Sequence, residues 1–203
     1  MLSTGARLDH ELIAEWVTPH ARVLDVGCGD GGLLALLRDR RQAQGRGIEI
    51  SRDGVNTCLA RGLSVIQGDA NADLADYPDN AFDIAILSQT IQATEAPLDV
   101  LTNLLRIGKR VIISLPNFAH WRARLDLAIW GRMPVNKNLP YSWYDTPNIH
   151  FCSVDDFRRL VTMVNARIEA EALLTEDQKL LGPRTAKTFG NLVGAQALFL
   201  LDH

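Results

Sequence analysis

Four glycines fall within six residues, at Gly27, Gly29, Gly31 and Gly32, with Asp25 just before them and Asp30 among them. Glycine permits positive φ and, lacking a Cβ, lets a ligand come close to the backbone. The spacing Gly27-x-Gly29-x-x-Gly32 is that of a dinucleotide-binding turn. In such a turn, however, Asp25 would face an anionic pyrophosphate. A cationic ligand would welcome the same carboxylate. The chemistry suggested is therefore the binding of a nucleotide-sized molecule that carries positive charge, with NAD as the less favoured occupant.

The flanking residues say what positions this turn. Val23-Leu24-Asp25-Val26 is a short apolar, β-branched run that reads as a buried strand, and Leu33 to Leu37 reads as a buried helix. A helix that starts at the turn aims its free N–H groups into it. Upstream, Leu8, Leu12, Ile13 and Trp16 share one face of a helix over 8–17 that Pro19 ends, either a flap over the turn or a helix on the sheet. Downstream, strands are expected at Gly45–Ile50, Leu63–Gln67, Ile84–Ser88, Lys109–Leu115, Ile168–Leu174 and Gln196–Leu201. Ser51 or Asp53 should cap a short helix, and Pro97 should begin one that runs to Ile107. Ser153, with Asp155 and Asp156, should start another. In open parallel sheets ligands bind beyond the carboxyl ends of the strands. That places Glu49, twenty residues after Gly29, where an acid can accept both hydroxyls of a ribose.

The string Asp25-Val26-Gly27-Cys28-Gly29-Asp30-Gly31 resembles motif I of the class I S-adenosylmethionine (SAM) methyltransferases. Pro78-Asp79-Asn80-Ala81-Phe82-Asp83 is similar to their approach to the fourth strand. The resemblance implies a Rossmann-like α/β fold with a seven-stranded, mostly parallel sheet in the order 3-2-1-4-5-7-6 and helices on both faces. It also implies SAM or S-adenosylhomocysteine as cofactor. The implied site takes Asp25, Gly27, Cys28, Gly29 and Asp30 from the first turn, and Glu49 and Ile50 from the second strand end. It adds Gly68, Asp69 and Ala70 after the third strand, where Asp69 reaches the adenine amino group and the Ala70 N–H the ring, and Ser88 and Gln89 after the fourth.

Three later segments narrow the likeness: Ile86 to Thr94, Ser114 to Trp121, and Leu139 to His150, the last reading Leu-Pro-Tyr-Ser-Trp-Tyr-Asp-Thr-Pro-Asn-Ile-His. Together they resemble the methionine biosynthesis family MetW, with Ile91 where Leu is more usual and Ala119 where Gly is. The resemblance implies association with a MetX-type homoserine O-acyltransferase, acetyl or succinyl. It leaves two readings open, a SAM-binding regulatory partner and a genuine small-molecule methyltransferase. No Asn-Pro-Pro-Tyr or Asp-Pro-Pro-Tyr follows the fourth strand; Ser88-Gln89-Thr90 stands there instead. No catalytic residue is assigned. Candidate pocket groups are Gln89, Asn117, His120, Tyr141, Tyr144, Asp145 and His150.

Residues 116–152 differ in kind from the rest. They are rich in Pro, Asn and aromatics, and 121–143 holds three of the four Trp residues. Long connections of this sort are usually functional, so a lid or partner surface is expected, with Trp143 and Tyr144 as its anchors and Asn136, Asn138 and Asn148 around them. The 203 residues suit one domain. A net charge of −3 argues against nucleic acid as a partner. Cys28, Cys58 and Cys152 form no C-x-x-C pair and the five histidines show no metal-ligand spacing, so no metal and a reducing, cytoplasmic setting are expected. The charged N-terminal stretch is no signal peptide, and no apolar run is long enough to span a membrane.

Overall fold

A computed structural model describes residues 7–135 and 139–203. Asn136 and Asn138 lie outside the described residues. The strands are β1 (Arg22–Val26), β2 (Gln44–Glu49), β3 (Ser64–Gln67), β4 (Phe82–Ser88), β5 (Gly108–Pro116), β6 (Arg167–Leu174) and β7 (Gln196–Asp202). They form one sheet in the order β3-β2-β1-β4-β5-β7-β6. The first five run parallel, and β7 lies antiparallel to both β5 and β6. This is the order and class the sequence led us to expect. Because β1 to β4 are parallel, their carboxyl ends open on one edge of the sheet.

Side chains alternate along β1, so Leu24 and Val26 face one side and Val23 and Asp25 the other. The first side packs on α4 (Pro97–Ile107) and α6 (Val154–Met163) through Val100, Leu101, Leu104, Phe157 and Val161. The second packs on α1 (Leu8–Trp16) and α2 (Gly32–Arg41) through Ile13, Leu33 and Leu37. A third, smaller cluster holds α3 (Arg52–Ala60) by Val55 and Cys58 against Leu34 and Val65. Asp25 is thus a carboxylate in an otherwise apolar layer, 1% exposed.

The helix starts follow their capping residues. Ser51 Oγ accepts from Gly54 N at 3.4 Å, and Pro97 opens α4 at its first turn. Ser153 and Asp156 form a reciprocal capping box at α6. Several boundaries move by a residue or two; β4, for one, begins at Phe82 rather than Ile84. β2 ends at Glu49, leaving Ile50 in the following turn and 65% exposed. The helix α7 (Pro183–Val193) has no counterpart in the sequence reading; its one buried residue is Gly190, where a Cβ would stand 2.4 Å from Leu173 Cδ1. Its apolar residues Ala186, Phe189 and Val193 stand at helical spacing, so the helix was open to notice. After β5 the chain forms α5 (Trp121–Leu125), which continues as a π-turn to Trp130.

α1 packs on the sheet and also reaches the ligand turn. Ile13, Ala14 and Val17 are buried, and Asp9 Oδ2 accepts from Gln196 Nε2 of β7 at 3.0 Å. That bond fixes the helix so that Arg7 and His10 stand over the glycines.

Candidate functional site: a cleft at the carboxyl edge of the sheet

The chain leaves β1 through a turn with three positive φ values, at Gly27 (70°), Gly29 (56°) and Gly31 (75°). The N–H groups of Gly27 and Cys28 both donate to Ile48 O, at 2.8 and 3.2 Å, which ties the turn to β2. A Cβ on Gly27 would lie 2.8 Å from Thr90 Oγ1, so the turn and the segment after β4 meet there with no room for a side chain. At Gly29 a Cβ would meet nothing within 4 Å; that glycine faces open space.

Two adjoining hollows share Gly27. The first, about 250 Å³, is lined by Asp25, Cys28, Gly29, Asp30, Ser88 and Gln89, with Arg7 and His10 at its rim. The second, about 150 Å³, is lined by Ile48, Ile50, Gly68, Asp69, Ala70, Asn71, Thr90, Ala93 and Thr94. Glu49 sits between them. Its Oε2 accepts from Gly29 N and its Oε1 from Ser51 N, each at 2.8 Å. One lone pair on each oxygen is left for a ligand hydroxyl.

Asp25 is the least satisfied group in the cleft. Burial, and then the nearby Glu49 charge, push its carboxyl up to about 7. Its Oδ2 is buried with no hydrogen-bond partner among the described residues. An unpaired buried carboxylate calls for a cationic donor. Cys28 is different: burial, then Asp25, push its thiol upward, and its Sγ lies 4.0 Å from Cys58 Sγ, so it behaves as apolar packing. Asp30 Oδ1 accepts from Gly32 N at 3.0 Å, and this bond, with Arg61, holds its carboxyl below the usual range. Burial and the Arg7 charge lower His10, which favours the neutral imidazole.

Around the second hollow, Asp69 Oδ1 accepts from the backbone and side-chain nitrogens of Asn71, both at 2.9 Å. Asn71 Oδ1 in turn accepts from Glu95 N at 2.9 Å. At the floor, Gln89 adopts φ 55°, a strained value for a side-chain-bearing residue. It is held there by Ser114, whose carbonyl accepts the Gln89 N–H at 2.9 Å, while Ser114 Oγ lies 3.0 Å from Ser88 Oγ.

The twelve residues expected to form the cofactor site therefore gather on one edge; eleven line the two hollows directly, Ile50 among them, and Glu49 stands between the two. Of the seven candidate pocket groups only Gln89 lines them. Asn117 turns away: its Nδ2 donates to Asn191 O and Gly194 O at 3.0 and 2.7 Å, pinning α7. His120 is buried with Nδ1 3.6 Å from Glu176 Oε1, and Arg122 pairs with the same carboxylate. Burial lowers its pKa, so it is a structural histidine. His150 Nε2 lies 3.4 Å from Glu95 O, behind the cleft. Tyr141 lines a separate aromatic hollow with Phe118, Met133, Trp143 and Phe151. Tyr144 is 75% exposed, and Asp145 is also exposed. Sequence reasoning missed Arg7, His10, Asn71 and Ser114. Arg7 and His10 depend on the Asp9–Gln196 bond, which no local pattern announces.

Among the described residues there is no cluster of three or more metal-ligating side chains, and no helix is long and apolar enough to cross a membrane.

Comparison with known proteins agrees with this geometry. A family model described as "Methionine biosynthesis protein MetW" matches residues 7–201. A "Bifunctional methionine biosynthesis protein MetXA/MetW" of Rhodopirellula baltica is 36% identical over 180 residues, covering 84% of this chain and 29% of that protein. A "Fatty-acid O-methyltransferase" of Mycolicibacterium smegmatis is 36% identical over 132 residues, covering 62% of this chain and 46% of the relative. The chain thus spans less than half the length of either. Among solved structures, an S-adenosylmethionine-dependent methyltransferase from Mesorhizobium loti superposes with a TM-score of 0.69 at 14% identity, covering 98% of this chain and 99% of that one. That likeness establishes the class I methyltransferase fold.

Proposed function

The chain belongs to the MetW family of methionine biosynthesis proteins, and from that premise we propose that it binds SAM or S-adenosylhomocysteine and acts as the regulatory partner of a MetX-type homoserine O-acyltransferase. The observation that carries the cofactor is Asp25. A buried carboxylate with an oxygen that no donor among the described residues reaches, at the head of a glycine turn, suits the ammonium and sulfonium end of SAM and repels a pyrophosphate.

The remaining residues fit the same molecule. Arg7 and His10, at the rim of the first hollow, suit its carboxylate. Glu49 has acceptor capacity for the two ribose hydroxyls. Asp69 suits the adenine amino group and the Ala70 N–H the ring, at the second hollow. When bound, SAM can supply a methyl group by in-line displacement, for which positioning is much of the catalysis.

The R. baltica relative supports the partnership: a protein named for both MetXA and MetW joins the two in one chain. The segment at about 116–152 is the proposed contact. Trp130, Trp143 and Tyr144 are 72%, 72% and 75% exposed, which favours a surface role over sheet-covering core. Since SAM derives from methionine, its binding would report the supply of the end product. The setting is cytoplasmic, in keeping with three free cysteines.

A genuine methyltransferase acting on a small molecule is the second reading, favoured by the likeness to the M. smegmatis O-methyltransferase. Against it, neither His120 nor His150 reaches the hollows, which leaves His10 at their rim as the histidine nearest the cleft. Turnover of methyl-labelled SAM, measured with and without the acyltransferase and homoserine, separates the two. Stimulation of acyl transfer with no methyl release supports the regulatory partner; steady methyl release to an acceptor overturns it.

A further inference from the structure

One short stretch touches both regions. Residues 88–96 follow β4 and floor the cleft: Ser88 and Gln89 line the first hollow, and Thr90, Ala93 and Thr94 line the second. The same stretch anchors the aromatic segment. The main-chain carbonyl of Gln92 accepts the N–H groups of both Ile149 and His150, each at 2.9 Å. Its side-chain Nε2 donates to Gln89 O at 2.7 Å. Gln92 is thus bonded on one side to the strained residue of the cofactor cleft and on the other to the end of the segment that carries Trp143 and Tyr144.

A second observation marks this residue. Gln92 is 5% exposed, yet its Oε1 is buried with no hydrogen-bond partner among the described residues. Half of its amide is tied to Gln89 and half is left unsatisfied beside a hollow of about 130 Å³, lined by Ile91, Pro97, His150, Cys152, Phe157 and Leu160. An unsatisfied acceptor next to free space marks a side chain with a second arrangement within reach.

We propose that Gln92 is a positioning residue that couples the cofactor cleft to the aromatic segment. A ligand that contacts Ser88, Gln89 or Thr90 changes the Gln89 peptide, which resets the Gln92 amide. Its carbonyl then strengthens or loosens its hold on Ile149 and His150. This inference rests on the cleft binding SAM or S-adenosylhomocysteine. Coupling of this kind is reciprocal: whatever factor the ligand imposes on the segment's partner, the partner imposes on the ligand.

The test is amide hydrogen exchange on the purified full chain, with and without S-adenosylhomocysteine, alongside a calorimetric titration. In the wild-type protein the ligand is expected to change exchange at Ile149 and His150 by roughly five- to tenfold or more, the size of ordinary allosteric coupling. Gln92→Met keeps the length of the side chain and removes its bond to Gln89. It should still bind the ligand within about threefold of wild type and lose the exchange response. Should that variant misfold, Gln92→Leu removes the same side-chain bond with a different apolar side chain, and the response at Ile149 and His150 should vanish. Ligand heat with silent amides at 149–150 in the wild-type protein overturns the coupling and leaves the cofactor reading standing. So does a full response in both variants. A flat titration brings down the cofactor reading itself.

Discussion

At the carboxyl ends of β1 to β4, the polar groups of the cleft are held in place: Glu49, Asp30 and Asp69 each accept a backbone N–H. Among the described residues of the connection from Trp121 to Phe151, Trp130, Trp143 and Tyr144 are exposed, and the Trp143 and Tyr144 rings lie 5.7 Å apart. The first region is organised in advance for a small charged ligand, where misplacement by an ångström is costly. The second is an exposed apolar surface, the proposed contact with the acyltransferase. One fold therefore presents two kinds of recognition, and perturbations should separate them.

The largest effect is expected at the turn. Gly27→Val places a branched side chain against Thr90 at a left-handed φ. SAM binding should be abolished in calorimetry; binding within tenfold of wild type would show that the turn does not hold the ligand. In the other region, Trp143→Ala should leave the melting temperature of the isolated protein nearly unchanged while weakening capture of the acyltransferase by about 2 kcal/mol or more, roughly thirtyfold. A loss of about 3–5 kcal/mol in folding stability would instead make Trp143 core.

Asp25 sharpens the contrast through pH. Its carboxyl is raised from 3.8 to about 7 in the folded protein. The native state therefore holds a proton that the unfolded chain releases above pH 4. Stability of the ligand-free protein should fall as pH rises from about 4 to 7, by something on the order of 4 kcal/mol. Asp25→Asn should remove that slope and stabilise the ligand-free protein at pH 8, as read by denaturant unfolding. In the wild-type protein, affinity for the cation should rise with pH up to about 7, because the ionised form is the one that binds. A stability profile that Asp25→Asn leaves unchanged would contradict the assignment. The smallest effect is expected at Asp69→Ala, where loss of one contact to a charged acceptor should weaken SAM by about 1.5–3 kcal/mol without unfolding the chain. Unchanged affinity would return Asp69 to the role of a turn residue.

The parts of this account that were legible in the sequence share a physical origin. β1, its glycine turn and α2 are contiguous, and their types follow from local preference: β-branched residues, then glycines, then leucines. Glu49 and Asp69 could be placed because parallel strands put their carboxyl ends on one edge. The capping box at Ser153 is likewise local. What escaped was set by contacts distant in sequence. Arg7 and His10 reach the cleft because Asp9 bonds Gln196, 187 residues away. Ser114 matters because β5 lies beside β4. Asn117 and His120 looked like pocket groups because they follow a strand end, but α7 and Glu176 claim them. α7 is an exception, because Pro183 at its start and Ala186, Phe189 and Val193 at helical spacing are local signals that the reading passed over.

The central claim is that the glycine turn holds a cationic nucleoside and not a dinucleotide. Paired calorimetric titrations of the purified chain with S-adenosylmethionine and with NADH at pH 8 test it most directly. The account predicts saturable one-site binding of S-adenosylmethionine, lost in Asp25→Asn, and no heat with NADH. Saturable binding of NADH with none of S-adenosylmethionine would contradict it.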